Sequence, residues 1–238
     1  MIAFLRNNIP NLLTCLNLCC GLVGLVLLSE KGADALPDLY MLLIIAGIAD
    51  FLDGFAARLL GSASAIGKDL DSLADAVTFG VLPSLAGYLL LSSMGAGIWS
   101  WMSLSTAVFS VIRLARFNND PGQSDSFIGV PTPANAFFLI FLYAGIFSGH
   151  GVISGFEFEF TLLAAIIAST SWLLVSPFKI IALKFKGTGW NKNKDKFILA
   201  ALGIILIASF GKESVPLLFL LYLGVSFVSE FLKRNRKQ

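Results

Sequence analysis

The chain has 238 residues, of which 56% are hydrophobic and 13% charged, and its mean hydropathy is +0.82. A soluble domain carries about 25% charged residues, so these charges are too few to cover a water-facing surface. The apolar excess runs along the whole chain, which excludes a soluble enzyme with a single anchor, a nucleic-acid-binding domain and a disordered chain. The net charge of +2 gives no independent reason to expect nucleic acid as a partner.

Apolar runs such as Leu82–Leu91 and Ala200–Phe210 are unbroken, whereas a membrane barrel alternates apolar and polar residues over about ten positions. The chain therefore reads as an all-α polytopic membrane bundle in one domain, residues 1–238. Arg6 precedes an apolar stretch from about Leu12 to Leu28 that is too long for the core of a cleavable leader, so it reads as the first span. Cys15, Cys19 and Cys20 all fall inside it and read as packing residues.

A helix crosses the hydrocarbon layer with about 20 mostly apolar residues. About eight segments meet that requirement or nearly do: 12–29, 39–60, 71–92, 97–117, 131–148, 160–177, 196–210 and 214–232. The seventh is the shortest, closed by Gly211, Lys212 and Glu213, and His150 falls at a loop edge after the fifth, with no second imidazole or cysteine near it. Eight spans place both termini on one side, together with all of the 17 lysines and arginines except Lys31 and Lys212. The positive-inside rule makes that side cytoplasmic. A multi-pass protein of the inner, cytoplasmic membrane is expected. The basic run from Lys179 to Lys196 reads as a topology signal, with attraction of anionic lipid headgroups as the alternative.

Acids inside spans are costly and tend to mark function. Asp50 and Asp53 lie three apart in the second span, and Asp71 and Asp75 four apart in the third. Each pair thus projects from one helix face, and a short loop lets the two faces meet. Four carboxylates so close would repel one another unless a cation lay between them. Oxygen-bound divalent metals supply that charge and are often shared with substrate phosphates. A charge network with Arg58 and Lys68, or an ion path, is the other way to use these acids. Gly54, Ala57 and Arg58 share a face with the first pair, giving a bulky ligand room and offering a guanidinium for phosphate oxygens. Gly67 opens the facing helix in the same way.

The full string Asp50-x2-Asp53-Gly54-x2-Ala57-Arg58-x8-Gly67-x3-Asp71-x3-Asp75 resembles the signature of the CDP-alcohol phosphotransferase family, matching it at every position. That resemblance implies a helical membrane enzyme, working as a homodimer, that moves a phosphoryl-linked group from a CDP-linked donor to an alcohol and releases CMP. It also implies Mg2+ or Mn2+, as two ions, held by Asp50, Asp53, Asp71 and Asp75, with Asp75 as general base.

Three further stretches resemble the bacterial and archaeal branch of that family that uses serine as acceptor: Ile9–Gly21 (IPNLLTCLNLCCG), Arg113–Asn118 (RLARFN) and Phe127–Ala136 (FIGVPTPANA). This implies CDP-diacylglycerol and L-serine as substrates, with membrane lipid as surroundings. The resemblance spans roughly residues 9–185; the last two spans, about 196–232, carry little of it.

The residues themselves suit such a reaction. Asn11 and Thr14 sit where they could read the cytidine end of the donor, although Asn11 also suits a helix N-cap. Serine carries a carboxylate, for which Arg113 and Arg116 are the available cations, and Asn118 can exchange hydrogen bonds with its amino group. Snorkelling at a span end would also account for the two arginines. Glycerol 3-phosphate, an inositol phosphate or choline stay open as acceptors, and an ion transporter lined by the aspartates stays open as a different class. No second copy of the motif in a related half is present, as a transporter built from repeats would have.

Overall fold

The structure is a computed structural model that describes residues 2–62, 64–119, 126–149, 159–181, 199 and 202–235. Helix α1 runs Ile2–Lys31, and a single 3-10 turn, Gly32–Ala35, reverses the chain into α2, Leu36–Leu60. Pro37 stands in the first turn of α2, where its missing N–H is not needed. Gly61 ends α2 with a φ of 61°, its N–H donating back to the carbonyls of Ala57 and Arg58. That left-handed close is what glycine permits at low strain.

The Ser64 side chain then caps α3, Ala65–Asp75, accepting from the Gly67 N–H at 3.0 Å. The cap starts this helix six residues before the predicted third span, because the sequence there is amphipathic rather than uniformly apolar. A π-helical turn, Ala76–Val81, joins α3 without a break to α4, Leu82–Ser93. After a 3-10 stretch, Gly97–Ser103, come α5 (Leu104–Asn119), α6 (Thr132–Ser148) and α7 (Phe160–Val175). The described part of α8 covers 202–210, and α9 is Val215–Asn235. His150 and the lysines at 184, 186, 192, 194 and 196 lie outside the described residues.

α1 packs along α2, and also against α3 and the π turn. α6 is buried almost all round, from Thr132 to Ala144, as expected of a helix at the centre of a bundle. α2, α4, α7 and α9 pack on it. Small residues allow the close crossings: a Cβ on Gly47 would stand 2.9 Å from the Phe137 ring, and one on Gly24 would stand 2.8 Å from Leu82. Polar pairs fasten other crossings, with Ser84 and Ser103 exchanging hydroxyl-to-carbonyl bonds of 2.8 Å and Thr106 meeting Ser171 at 2.9 Å.

Large apolar side chains face outward, among them Phe51 (68% exposed), Leu59 (72%) and Met41 (57%), while Thr14, Asn17, Asp53, Asp75 and Asn135 are buried. This inverts the pattern of a water-soluble protein and suits a bilayer. Three helical stretches, Asn8–Leu60, Ala65–Ser93 and Gly97–Asn119, are long and apolar enough to cross one, and the first contains two of the predicted spans joined by the 3-10 turn. The chain is a membrane protein.

One local feature goes beyond a pure helical bundle. β1, Ser126–Ile128, pairs antiparallel with β2, Lys179–Ile181, with Phe127 opposite Ile180. The pair continues through Gly129, whose N–H donates to the Phe178 carbonyl at 2.9 Å, and Val130, whose N–H donates to the Leu173 carbonyl at 3.1 Å. Gly129 has a φ of +78°, and a Cβ there would run into the Leu174 carbonyl oxygen. The strap so formed fixes the entry to α6.

Candidate functional site

Helices α2 and α3 both pack on α1, and their acidic faces meet there. Asp50, Asp53 and Asp71 each offer a carboxylate oxygen within 4.8 Å of the other two. Asp53 is 6% exposed and Asp75, one turn beyond Asp71, is 7% exposed. The fourth aspartate stands apart from that trio, and its Oδ1 accepts from Asn17 Nδ2 at 3.1 Å.

Helix α1 orients two of the four acids. The Thr14 hydroxyl lies 2.6 Å from Asp53 Oδ2 and also 3.1 Å from the Pro10 carbonyl. One turn on, Asn17 holds Asp75, and the Thr78 hydroxyl donates at 3.0 Å to the Asn17 carbonyl. Gly21 makes this crossing possible: a Cβ there would collide with the Thr78 hydroxyl and stand 3.0 Å from Thr78 Cα. The π turn that carries Thr78 directly follows Asp75, so α1, the turn and the fourth aspartate are fixed together. Such turns are frequent at functional sites.

Asn17 was not singled out from the sequence. The signal was available in the polar and small residues Asn11, Thr14, Asn17 and Gly21, which recur at helical spacing on an otherwise apolar helix.

The other motif residues surround the cluster. Gly54 is open except for Arg58, whose Nη1 would lie 3.6 Å from a Cβ there. Arg58 itself is exposed. Gly67 admits Asn11, whose Oδ1 would be 3.2 Å from a Cβ at that position. Lys68 donates to the Asn118 carbonyl at 2.7 Å. Lys31 pairs with Asp38 at 2.9 Å, remote from the motif. The structure describes no salt bridge from Arg58 or Lys68 to these acids, although the Arg58 charge acts on Asp53.

That geometry fits a divalent cation. The donors are all carboxylate oxygens, which suits a hard ion. No lysine or arginine among the described residues forms a salt bridge with them, and Asp71 Oδ1 is buried with no hydrogen-bond partner among those residues. Carboxylates gathered this closely repel one another unless a cation lies among them.

Arg113 is buried at 9% exposure on α5, which packs on the π turn that directly follows Asp75, and the Asp75 charge acts on it. Its Nη1 donates to the Thr132 hydroxyl at 3.1 Å, and its guanidinium carbon lies 6.0 Å from the Phe117 ring centroid. The other two predicted acceptor residues are engaged elsewhere. Arg116 is exposed and donates to the Val175 carbonyl at 3.3 Å, while Asn118 Nδ2 donates to the Ser72 hydroxyl at 2.7 Å. These bonds tie the end of α5 to α7 and α3.

The family model for CDP-alcohol phosphatidyltransferase matches residues 7–175, taking in the whole aspartate motif, Arg113 and the start of α6. The chain belongs to the CDP-alcohol phosphatidyltransferase family. Its curated relatives agree. It is 34% identical over 174 residues to a Bacillus subtilis protein, covering 73% of this chain and 89% of that one. It is 35% identical over 211 residues to a Mycobacterium tuberculosis protein, covering 84% and 70%, and 34% identical over 184 residues to a Helicobacter pylori protein, covering 76% of each. All three carry the name CDP-diacylglycerol–serine O-phosphatidyltransferase.

Proposed function

We propose that the chain is a phosphatidylserine synthase, transferring the phosphatidyl group of CDP-diacylglycerol to the hydroxyl of L-serine and releasing CMP. The observation that carries this reading is the trio Asp50, Asp53 and Asp71, with Asp75 set beside it and held by Asn17. The names of the relatives supply the acceptor.

Asp50, Asp53, Asp71 and Asp75 would hold Mg2+ or Mn2+, as two ions, and the bound metal would neutralise the diphosphate and stabilise the leaving CMP. The rest of the work falls to the protein. Gly54 and Ala57 leave the α2 face open to the donor, and Arg58 pairs with its phosphate oxygens. Asn11 lies beside the donor's nucleotide end, and Thr14 contributes by fixing Asp53. The acyl chains stay in lipid against the apolar outer faces.

Asp75 takes the proton of the serine hydroxyl as that oxygen attacks the phosphorus attached to diacylglycerol. The bond from that phosphorus to the CMP oxygen breaks, and CMP leaves with the electron pair. Arg113 faces the acceptor carboxylate. The basic residues on the side of the termini orient the enzyme in the inner membrane with its site toward the cytoplasm, and the family resemblance adds a homodimer.

The test is CMP release by purified protein from CDP-diacylglycerol with L-serine, glycerol 3-phosphate, inositol phosphate or choline, with and without excess chelator. Release that requires serine and is restored by Mg2+ or Mn2+ after chelation is expected. Preference for another alcohol, or full activity in chelator, would overturn the reading.

A further inference from the structure

Helix α9 lies outside the segment matched by the family model, residues 7–175, yet it packs on α6. Phe219 stacks on Phe138 with ring centroids 4.4 Å apart. Two turns later, Phe227 meets Phe178 edge-on at 5.1 Å, beside the strand pair at which α6 begins. α9 therefore runs antiparallel to α6. Tyr222, one turn on from Phe219, comes level with Asn135, one turn back from Phe138.

Both side chains are buried, Tyr222 at 9% exposure and Asn135 at 0%. Tyr222 is within charge-interaction range of Arg113, which is bonded to Thr132, one turn from Asn135 on the same face of α6. Neither amide atom of Asn135 has a hydrogen-bond partner among the described residues. The same holds for Arg113 Nε and for the hydroxyl of Ser110, one turn back on α5. Buried donors and acceptors of this kind carry their full desolvation penalty unless something bonds to them. Two helices, α5 and α6, thus hold buried polar capacity that no described residue uses, and α5 packs on the π turn that follows Asp75.

A zwitterionic amino-acid alcohol matches that capacity. Its carboxylate suits the guanidinium of Arg113, and its ammonium can donate to Asn135 Oδ1 while Asn135 Nδ2 donates to the carboxylate. The phenolic oxygen of Tyr222 can accept from a guanidinium N–H on the far side. We propose that Asn135 and Tyr222 complete the acceptor site around Arg113, Asn135 binding the acceptor directly and Tyr222 positioning the guanidinium, so that α9 is a wall of the site. This rests on the reading of L-serine as acceptor.

The test uses the full chain with CDP-diacylglycerol and L-serine, comparing wild type with Tyr222→Phe and Asn135→Ala. The first variant keeps the packed ring, and thermal unfolding midpoints confirm folding of both. Each is expected to raise the KM for serine by about tenfold or more, with kcat and the KM for CDP-diacylglycerol within about twofold of wild type, as for loss of one hydrogen bond at a charged group. An unchanged serine KM in both folded variants, or parallel rises in both KM values, would overturn the proposal. Wild-type protein that uses another alcohol and ignores serine would instead sink the acceptor reading. The KM for that alcohol in the same variants then judges the placement: a selective rise supports it and no change overturns it.

Discussion

Replacing Asp75 with asparagine separates the role of its charge from the role of its shape. The carboxylate is 7% exposed and accepts one side-chain bond, from Asn17 Nδ2 at 3.1 Å. An asparagine can offer its carbonyl to that same donor. Its new amide N–H can turn to Asn17 Oδ1, which is buried with no partner among the described residues. The exchange also removes a buried negative charge, so stability is expected to stay within about 1 kcal/mol of wild type. The chemistry, in contrast, loses its proton acceptor. A general base contributes about 10²–10⁴-fold, or about 3–5 kcal/mol of barrier, and kcat should fall by that factor. The assay is serine-dependent CMP release at saturating substrates, with donor binding followed by the shift in thermal midpoint on adding CDP-diacylglycerol. Donor binding retained with turnover collapsed is the expected result. Turnover within about threefold of wild type would refute the base assignment, because that is far less than a lost general base costs.

Two further substitutions probe the first helix. Thr14→Val keeps the shape but removes the hydroxyl 2.6 Å from Asp53 Oδ2; the metal concentration for half-maximal activity should rise about 10–100-fold, as for loss of a group that orients a ligand, and an unchanged activation curve would count against the cluster as a metal centre. Gly21→Ala drives a Cβ into the backbone of Thr78, 3.0 Å from its Cα, and overpacking of this kind costs about 1–3 kcal/mol. A lowered thermal midpoint is expected, and a wild-type midpoint would show that the crossing is looser than drawn.

The acid cluster was legible because its information is local. Asp50 and Asp53 share a helical face by spacing alone, as do Asp71 and Asp75, and a short loop after Arg58 lets the two faces meet. What the sequence could not supply were meetings set by tertiary packing. Nothing in the spacing of Asn17 links it to Asp75, 58 positions away. Their bond depends on Gly21 letting α1 close on the π turn. The strand pair was equally hidden, since Ser126–Ile128 and Lys179–Ile181 are each three residues long and too short to show alternation.

For the arginines, the sequence offered Arg113 and Arg116 on equal terms. Burial distinguishes them: Arg113 turns inward to Thr132, whereas Arg116 stays exposed and holds the Val175 carbonyl. Likewise the last helix read only as an apolar span, and its approach to the site became visible through the stack of Phe219 on Phe138.

The central claim, phosphatidyl transfer to serine, is tested most directly by following the acceptor into lipid. Purified protein with CDP-diacylglycerol, a divalent metal and isotopically labelled L-serine should convert the label to chloroform-soluble phosphatidylserine, one molecule for each CMP released. Label that stays water-soluble while CMP accumulates would contradict it.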